Sequence, residues 1–414
     1  MRILHVTAYC SAFSNGGTEQ YVDSLTDALK EKHGVEIHIL VVTPNGSGNI
    51  SPEITAVYPR SRKQDDIVSF REVCSAFLDE FKPDNIFIHT SDLMEVEVAR
   101  IAIERKVPYF FFYHAPYWLC AHYDMLYCGK ETCHQMFCPW KCSVCMASGK
   151  SGSATRGAIV TLAGELQRFA RPSHNSWLNS FRYELPRKEY IVRNATKVIA
   201  LNDKDRGIML ENGVAEDKIA VIPQGLSEAL IPQLKENAVT PRVGNLKIGY
   251  VGRAAQIKGC HILVEAMKLM SVDALLELHV YGCDESTEYV QQLHKLAGDD
   301  KRIAFHSMMP ANEIIKEYAK LDVLCIPSIV FETGPLTLFE GIYSGCRVYG
   351  SKQIGQMPTL LKYGRLVEEN TPVAWCNIFR ESLANLKEMR LNRKCEFEYR
   401  TMANVADELW QIIQ

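Results

Sequence analysis

No stretch of this 414-residue chain stays apolar for the roughly 18 residues that a membrane-crossing helix requires. Neither sign of charge dominates: 46 Lys and Arg stand against 49 Asp and Glu, which excludes nucleic-acid recognition by the whole surface and confines any polyanion contact to a local patch. Low-complexity tracts and repeats shorter than a domain are also missing, so fibrous and solenoid architectures are excluded. The chain opens Met-Arg-Ile-Leu-His-Val-Thr, already a strand pattern, so no secretory leader is expected. The expected location is cytoplasmic, at most peripheral at the inner face of a membrane. Cysteine, by contrast, is abundant at 14 residues. The cytosol keeps thiols reduced, so these do not read as a disulfide framework.

The length exceeds what one compact core usually takes, and two domains are expected. In the first half, apolar runs at Arg2–Thr7, Glu36–Val42, Asn85–His89, Pro108–Tyr113, Lys197–Leu201 and Ile219–Ile222 alternate with amphipathic helical stretches. After a polar linker around Ser227–Asn245 the alternation restarts, with strands at Lys247–Val251, Leu276–Tyr281, Arg302–Phe305, Val323–Ile326 and Arg347–Tyr349. Such alternation predicts parallel sheets covered by helices, an α/β class with two Rossmann-like domains and a cleft between them. The expected spans are 1–235 for the first domain and 240–390 for the second. A last amphipathic helix within 391–414 has no strand to serve and is expected to return to the first domain.

In open parallel sheets, ligands bind beyond the carboxyl ends of strands. Four such places carry chemistry. After Val323–Ile326 come Glu332, Gly334, Pro335, Leu336 and Glu340, with proline expected at the first helical position. The backbone N–H groups there can hold an anion, and the flanking carboxylates accept vicinal hydroxyls. Phosphate between diols describes a sugar nucleotide. After Lys247–Val251, Gly252-Arg253 and Lys258-Gly259 place two cations where they could clamp a diphosphate. After the first strand, Ser14-Asn15-Gly16-Gly17-Thr18-Glu19 opens a helix with a glycine pair that lets a ligand approach the backbone. His114 ends the fourth strand and can donate to a sugar hydroxyl.

Together with Ile222-Pro223-Gln224-Gly225, these motifs in this order resemble the retaining GT-B glycosyltransferases of family 4, over nearly the whole chain. The resemblance implies that Arg253 and Lys258 bind the donor diphosphate, Glu340 the ribose and Glu332 the sugar hydroxyls, with His114 beside the reacting carbon. It implies a UDP- or GDP-sugar donor, a glycan or lipid-linked acceptor, no nucleic-acid partner and no metal at the diphosphate. Transfer would be front-face, the departing phosphate helping to deprotonate the acceptor while fixed cations hold its charge. Three places depart from the family pattern: Ala115-Pro116 after His114, Cys346 where proline is usual, and Gly355-Gln356-Met357-Pro358. They bear on donor identity.

Six cysteines fall within Cys120–Cys145, and Cys142-x2-Cys145 has chelating spacing. The insert, about 118–150, is similar to one in some family-4 polysaccharide transferases, which implies Cys120 and Cys133 as the remaining ligands of a structural zinc. An iron–sulfur cluster is the competing reading, and buried free thiols the plain one. Beyond the cluster, Arg168, Arg171, Trp177, Phe181, Arg182, Arg187, Lys188 and Arg193 make a basic, aromatic stretch suited to an anionic membrane or to an ordinary helix pair. The expectation is a glycosyltransferase of surface-polysaccharide assembly (lipopolysaccharide, capsule or exopolysaccharide). Its rivals are a sugar-nucleotide epimerase of the same plan and a non-catalytic, metal-bearing scaffold.

Overall fold

Each half of the chain is built on a parallel sheet centred on its own first strand. The computed structural model describes residues 1–10, 16–42, 48–57, 64–91, 93–115, 118–120, 124–133, 138–148, 153–170 and 189–414. The chain divides into two compact units, 1–223 with 405–414, and 224–404.

The first unit runs β1 (Arg2–Thr7), α1 (Gly17–His33), β2 (Glu36–Val42), β3 (Gly48–Ser51), β4 (Ile54–Val57), α2 (Gln64–Phe81), β5 (Asn85–Ile88), α3 (Leu93–Glu104) and β6 (Tyr109–Phe112). An insert follows, with β7 (Leu126–Tyr127), β8 (Glu131–Thr132), α4 (Pro139–Ser148) and α5 (Ala154–Ala170). The main sheet is completed by β9 (Lys197–Ala200), α6 (Asp203–Glu211) and β10 (Ile219–Val221). Its strand order is β10-β9-β6-β5-β1-β2-β4-β3, parallel but for the edge pair β3–β4. β5 and β6 are buried along their whole lengths, as central parallel strands covered on both faces must be. Burying each of Phe110, Phe111 and Phe112 is worth about 1.5–3 kcal/mol. The order reverses beside β1, so the β1/β5 boundary is the switch point at which such sheets open toward ligands.

The second unit contains α7 (Ile231–Val239), β11 (Leu246–Val251), α8 (Cys260–Lys268), β12 (Leu276–Cys283), α9 (Glu288–Ala297), β13 (Ile303–Ser307), α10 (Ala311–Glu317) and β14 (Val323–Ile326). It continues through α11 (Leu336–Tyr343), β15 (Arg347–Ser351), α12 (Met357–Tyr363), β16 (Arg365–Val367), α13 (Pro372–Ala384) and α14 (Leu386–Leu391); the last helix, α15 (Met402–Ile413), belongs to the first unit from residue 405 on. The order β13-β12-β11-β14-β15-β16 is parallel throughout, with its switch point between β11 and β14. These are two Rossmann-like units of the GT-B class.

The polar linker expected around Ser227–Asn245 is instead largely helical. α7 buries Leu234 and Ala238 on one face. Beside them the buried Asn237 donates to the Ile315 carbonyl at 2.6 Å and to Ser344 at 3.1 Å, so a polar residue does a core residue's packing. The short strands β3, β4 and β16 and the helix α13 are further additions. At the other end, Trp410 of α15 stacks on His33 of α1 at 4.3 Å, and Asp407 Oδ1 lies 3.1 Å from His33 Nε2.

Candidate active site

The loops at the second unit's switch point are held by their own backbone. Tyr250 donates its hydroxyl to the Arg253 carbonyl at 2.9 Å, and Ala254 N–H donates to the Gly282 carbonyl at 2.9 Å. Gly259, φ 78°, turns the chain into α8 so close to β14 that a Cβ would stand 2.1 Å from the Pro327 carbonyl oxygen. Lys258 and Glu332, 74 residues apart, thereby meet: Lys258 Nζ donates to Glu332 Oε1 at 2.6 Å. Ser328 donates to the same oxygen at 2.5 Å. The Glu332 backbone is clamped as well, with its N–H on the Gln353 carbonyl at 2.9 Å and its carbonyl taking the Gly355 N–H at 2.7 Å. The Gly355-Gln356-Met357-Pro358 stretch thus braces Glu332 and then starts α12. Arg253 is exposed and forms no ion pair among the described residues.

Gly334 is fixed by Gln224, whose side-chain amide donates to its carbonyl. Pro335 is the N-cap of α11 rather than its first helical residue; its carbonyl already accepts from Leu338 N–H at 3.0 Å. Leu336 therefore opens the helix, and Glu340 lies just over one turn in. Glu340 is buried, which raises its carboxyl above the ordinary value, and Tyr318 opposes that shift by donating to Oε2 at 2.7 Å.

In the first unit Gly16 caps α1 without a side chain, and the Glu19 carboxylate folds back so that a Cβ on Gly16 would meet Oε2 at 2.4 Å. That helix end already carries its own anion, while nothing lies within 4 Å of a Cβ on Gly17. Ser14, Asn15 and Pro116 fall outside the described residues, as does the basic, aromatic stretch from 171 to 188. His114 packs its ring edge-on to Tyr21 and lies 3.0 Å, nitrogen to nitrogen, from His89.

The four-thiolate set expected at Cys120, Cys133, Cys142 and Cys145 is not formed. Among the described residues, no three His, Cys, Asp or Glu side chains are grouped to hold a metal ion. Cys145 Sγ faces the β7–β8 hairpin, accepting the Cys128 N–H at 3.1 Å and standing 3.5 Å from the Leu126 carbonyl. Cys120 turns to Asp124 at 3.8 Å. Burial pushes Cys142 up to about 11 and Cys145 up to about 12.

The Glycosyltransferase Family 4 model matches residues 15–229, more than half of the chain. The chain belongs to glycosyltransferase family 4. Residues 245–385 match the model for glycosyl transferases group 1. This family-4 chain is 23% identical over 214 residues to the D-inositol 3-phosphate glycosyltransferase of Corynebacterium diphtheriae, covering 47% of this chain and 50% of that protein. It spans about half the length of the curated relatives it matches. Among solved structures, Anabaena HepE in complex with UDP and glucose shares the fold with a TM-score of 0.62 at 15% identity, over 100% of this chain and 99% of that one. The UDP-GlcNAc 2-epimerase of Neisseria meningitidis bound to UDP-GlcNAc gives 0.57 at 11% identity, over 100% and 99%. No described helix is long and apolar enough to cross a membrane.

Several contributors escaped the sequence motifs. Tyr318, Ser328 and Asn370 act through contacts that no local spacing announces; Asn370, for instance, donates to the Pro327 carbonyl at 2.8 Å and steadies the loop before Glu332. His5 and His89 carried a weaker signal, a histidine within or directly after an apolar strand run.

Proposed function

We propose that this family-4 protein transfers a sugar from a nucleotide-sugar donor to an acceptor hydroxyl with retention, in the assembly of a surface polysaccharide. The observation that carries this reading is the Lys258–Glu332 pair at the second unit's switch point, with exposed Arg253 on the adjoining loop and Glu340 held by Tyr318. A cation already paired with a carboxylate can exchange that partner for a diphosphate, freeing the carboxylate to accept hydroxyls from the sugar. Arg253 and Lys258 are assigned to the diphosphate, Glu340 to the ribose, Glu332 to the sugar, and the α11 N-terminus at Gly334, Pro335 and Leu336 to phosphate oxygens. Gly16 and Gly17 are assigned to close backbone approach, and His114 to a hydrogen bond with a sugar hydroxyl.

In the reaction the C1–O bond to the diphosphate breaks, a bond from C1 to the acceptor oxygen forms on the same face, and the acceptor proton passes to the departing phosphate. Fixed cations stabilise the charge that develops on the leaving group. UDP is the favoured nucleotide because HepE, which shares this fold, is seen with UDP and glucose. The inositol phosphate acceptors named for the corynebacterial relatives favour a polar, hydroxyl-rich acceptor.

The test is a thermal-shift screen with UDP- and GDP-sugars, since a ligand of the folded state raises stability by mass action. NMR of the products then reads the anomeric configuration. Stabilisation by a nucleotide sugar followed by a retained linkage supports the proposal. An epimerised nucleotide sugar formed without acceptor, or no response to any nucleotide sugar, overturns it.

A further inference from the structure

One hydroxyl decides how the Glu340 carboxylate is presented. Tyr318 lies on a single 3-10 turn, Tyr318–Lys320, shortly before β14, and is fully enclosed at 0% exposure. Its hydroxyl donates to Glu340 Oε2 at 2.7 Å. Among the described residues no second donor reaches Glu340, so Oε1 carries no bond, and it keeps contact with solvent. The turn is pinned from behind. Arg242 donates to the Tyr318 and Ala319 carbonyls, each at 3.2 Å, and to the Ser344 and Gly345 carbonyls just past the end of α11, each at 2.8 Å. The Cys346 thiol, where proline is usual in the family, donates toward the Leu321 and Tyr318 carbonyls at 3.4 and 3.5 Å. One guanidinium thus ties the turn carrying Tyr318 to the helix carrying Glu340.

A phenol has one proton to give and can also accept. Were a neutral Glu340 to donate to Tyr318 instead, the tyrosine proton would be enclosed without an acceptor, since no other polar group of the described residues meets that hydroxyl. Buried donors left unpaired are rare in folded proteins. Tyr318 therefore donates to Oε2 whether Glu340 is ionised or neutral, and the proton of the neutral acid is driven onto Oε1. Burial raises the Glu340 carboxyl, the Tyr318 hydrogen bond works against that shift, and no charged neighbour adds to either. The ionisable groups on the elements packed against α11 are Lys235 and Glu236 on α7, Cys325 on β14, and Arg347 and Tyr349 on β15, with Tyr343 on α11 itself.

We propose that Tyr318 is a positioning residue of the nucleotide site: it reserves Glu340 Oε2, so that the proton and a ligand hydroxyl compete for a single atom, Oε1. Ligand binding then expels the proton, and protonation turns the ligand-facing acceptor into a donor. That the hydroxyl belongs to a ribose rests on the transfer proposed above; the reservation of Oε2 does not.

The test is infrared difference spectroscopy of the full-length protein across a pH series, the Glu340 carboxylic-acid band being assigned by its loss in Glu340→Gln. Tyr318→Phe keeps the buried ring and removes only the hydroxyl. Its Glu340 band should titrate about one to two pH units higher than in the wild type, the worth of one hydrogen bond to a charged group. An unchanged or lower midpoint would overturn the proposal. Fluorotyrosine placed at Tyr318 is a stronger donor of almost the same shape and should move the midpoint down; a midpoint that stays or rises overturns the proposal equally, should Tyr318→Phe not fold. UDP added to the wild type below the midpoint separates the two claims. Bleaching of the band at saturation is expected, whereas a band that persists with UDP bound, or no binding of UDP at all, defeats the assignment of Glu340 to the ribose alone, and the midpoint comparison still decides for Tyr318.

Discussion

Lys258 Nζ donates to Glu332 Oε1 at 2.6 Å, and Ser328 donates to the same carboxylate oxygen. The cation assigned to the diphosphate and the carboxylate assigned to the sugar are therefore a single ion pair. Their side chains are 28% and 14% exposed, enough burial to make the pair costly to break on one side only.

Glu332→Gln should lower transfer by about ten- to a hundredfold, the worth of a charged hydrogen bond, yet leave binding of free UDP equal or tighter because Lys258 is released. Calorimetry with UDP beside initial rates with the nucleotide sugar separates the two effects. Equal losses in both would refute the division of labour.

Arg253→Ala and Lys258→Ala should each weaken UDP binding by about ten- to a hundredfold. If both variants bind UDP as the wild type does, the diphosphate lies elsewhere.

Glu340 gives a pH dependence with a definite sign. Burial raises its carboxyl, so ionisation is harder in the fold than in the unfolded chain. Its contribution to stability is complete below the unfolded value and is lost as pH rises through the folded one. Nucleotide binding behaves oppositely, because ribose hydroxyls need the ionised acceptor: UDP affinity should climb through the raised value and then level off. Glu340→Gln should flatten that profile in calorimetry across a pH series; an identical profile in the variant would remove Glu340 from the ribose.

Gly259→Ala should destabilise more than Gly34→Ala. Both glycines have positive φ, 78° and 62°, and share a backbone strain of roughly 1–3 kcal/mol for a side chain. Only at Gly259 would the new Cβ also strike the Pro327 carbonyl, while nothing lies within 4 Å at Gly34. Urea unfolding of the two variants gives the comparison, and equal midpoints would contradict it.

The strands were legible where an apolar run was uninterrupted. β1, β2 and β14 begin and end at the expected residues because their boundaries are set by charge or turn chemistry on either side. α7 was not, since its inward face is only Leu234, Asn237 and Ala238, and an asparagine reads as solvent-facing until the Ile315 carbonyl is known to meet it. α13 had a signal that went unused: Thr371 accepts from Ala374 N–H at its N-cap, with Pro372 in the first turn. In the site, the pairing of Lys258 with Glu332 follows from adjacent strand ends, which alternation alone suggests. The meeting of His5 with His89 does not, because the two are 84 residues apart and join only through the register of β1 against β5. For the cysteines, spacing suggested a ligand set, but spacing does not say which way a sulfur turns, and Cys145 turns into the hairpin.

The second unit is an insertion. Its entry and exit segments lie side by side, with Leu226 N–H on the Arg400 carbonyl at 3.0 Å and Met402 N–H on the Leu226 carbonyl at 2.8 Å. Residues 405–414, which follow the whole of the second unit in the chain, belong to the first unit, where Trp410 stacks on His33. A ribosome adding about 5–20 residues per second therefore leaves the first unit without its closing helix for roughly 10–40 s after Pro223 is made. During that interval the α1 surface around His33 is uncovered, and the nascent chain is exposed there to chaperones and proteases in a way the finished protein is not.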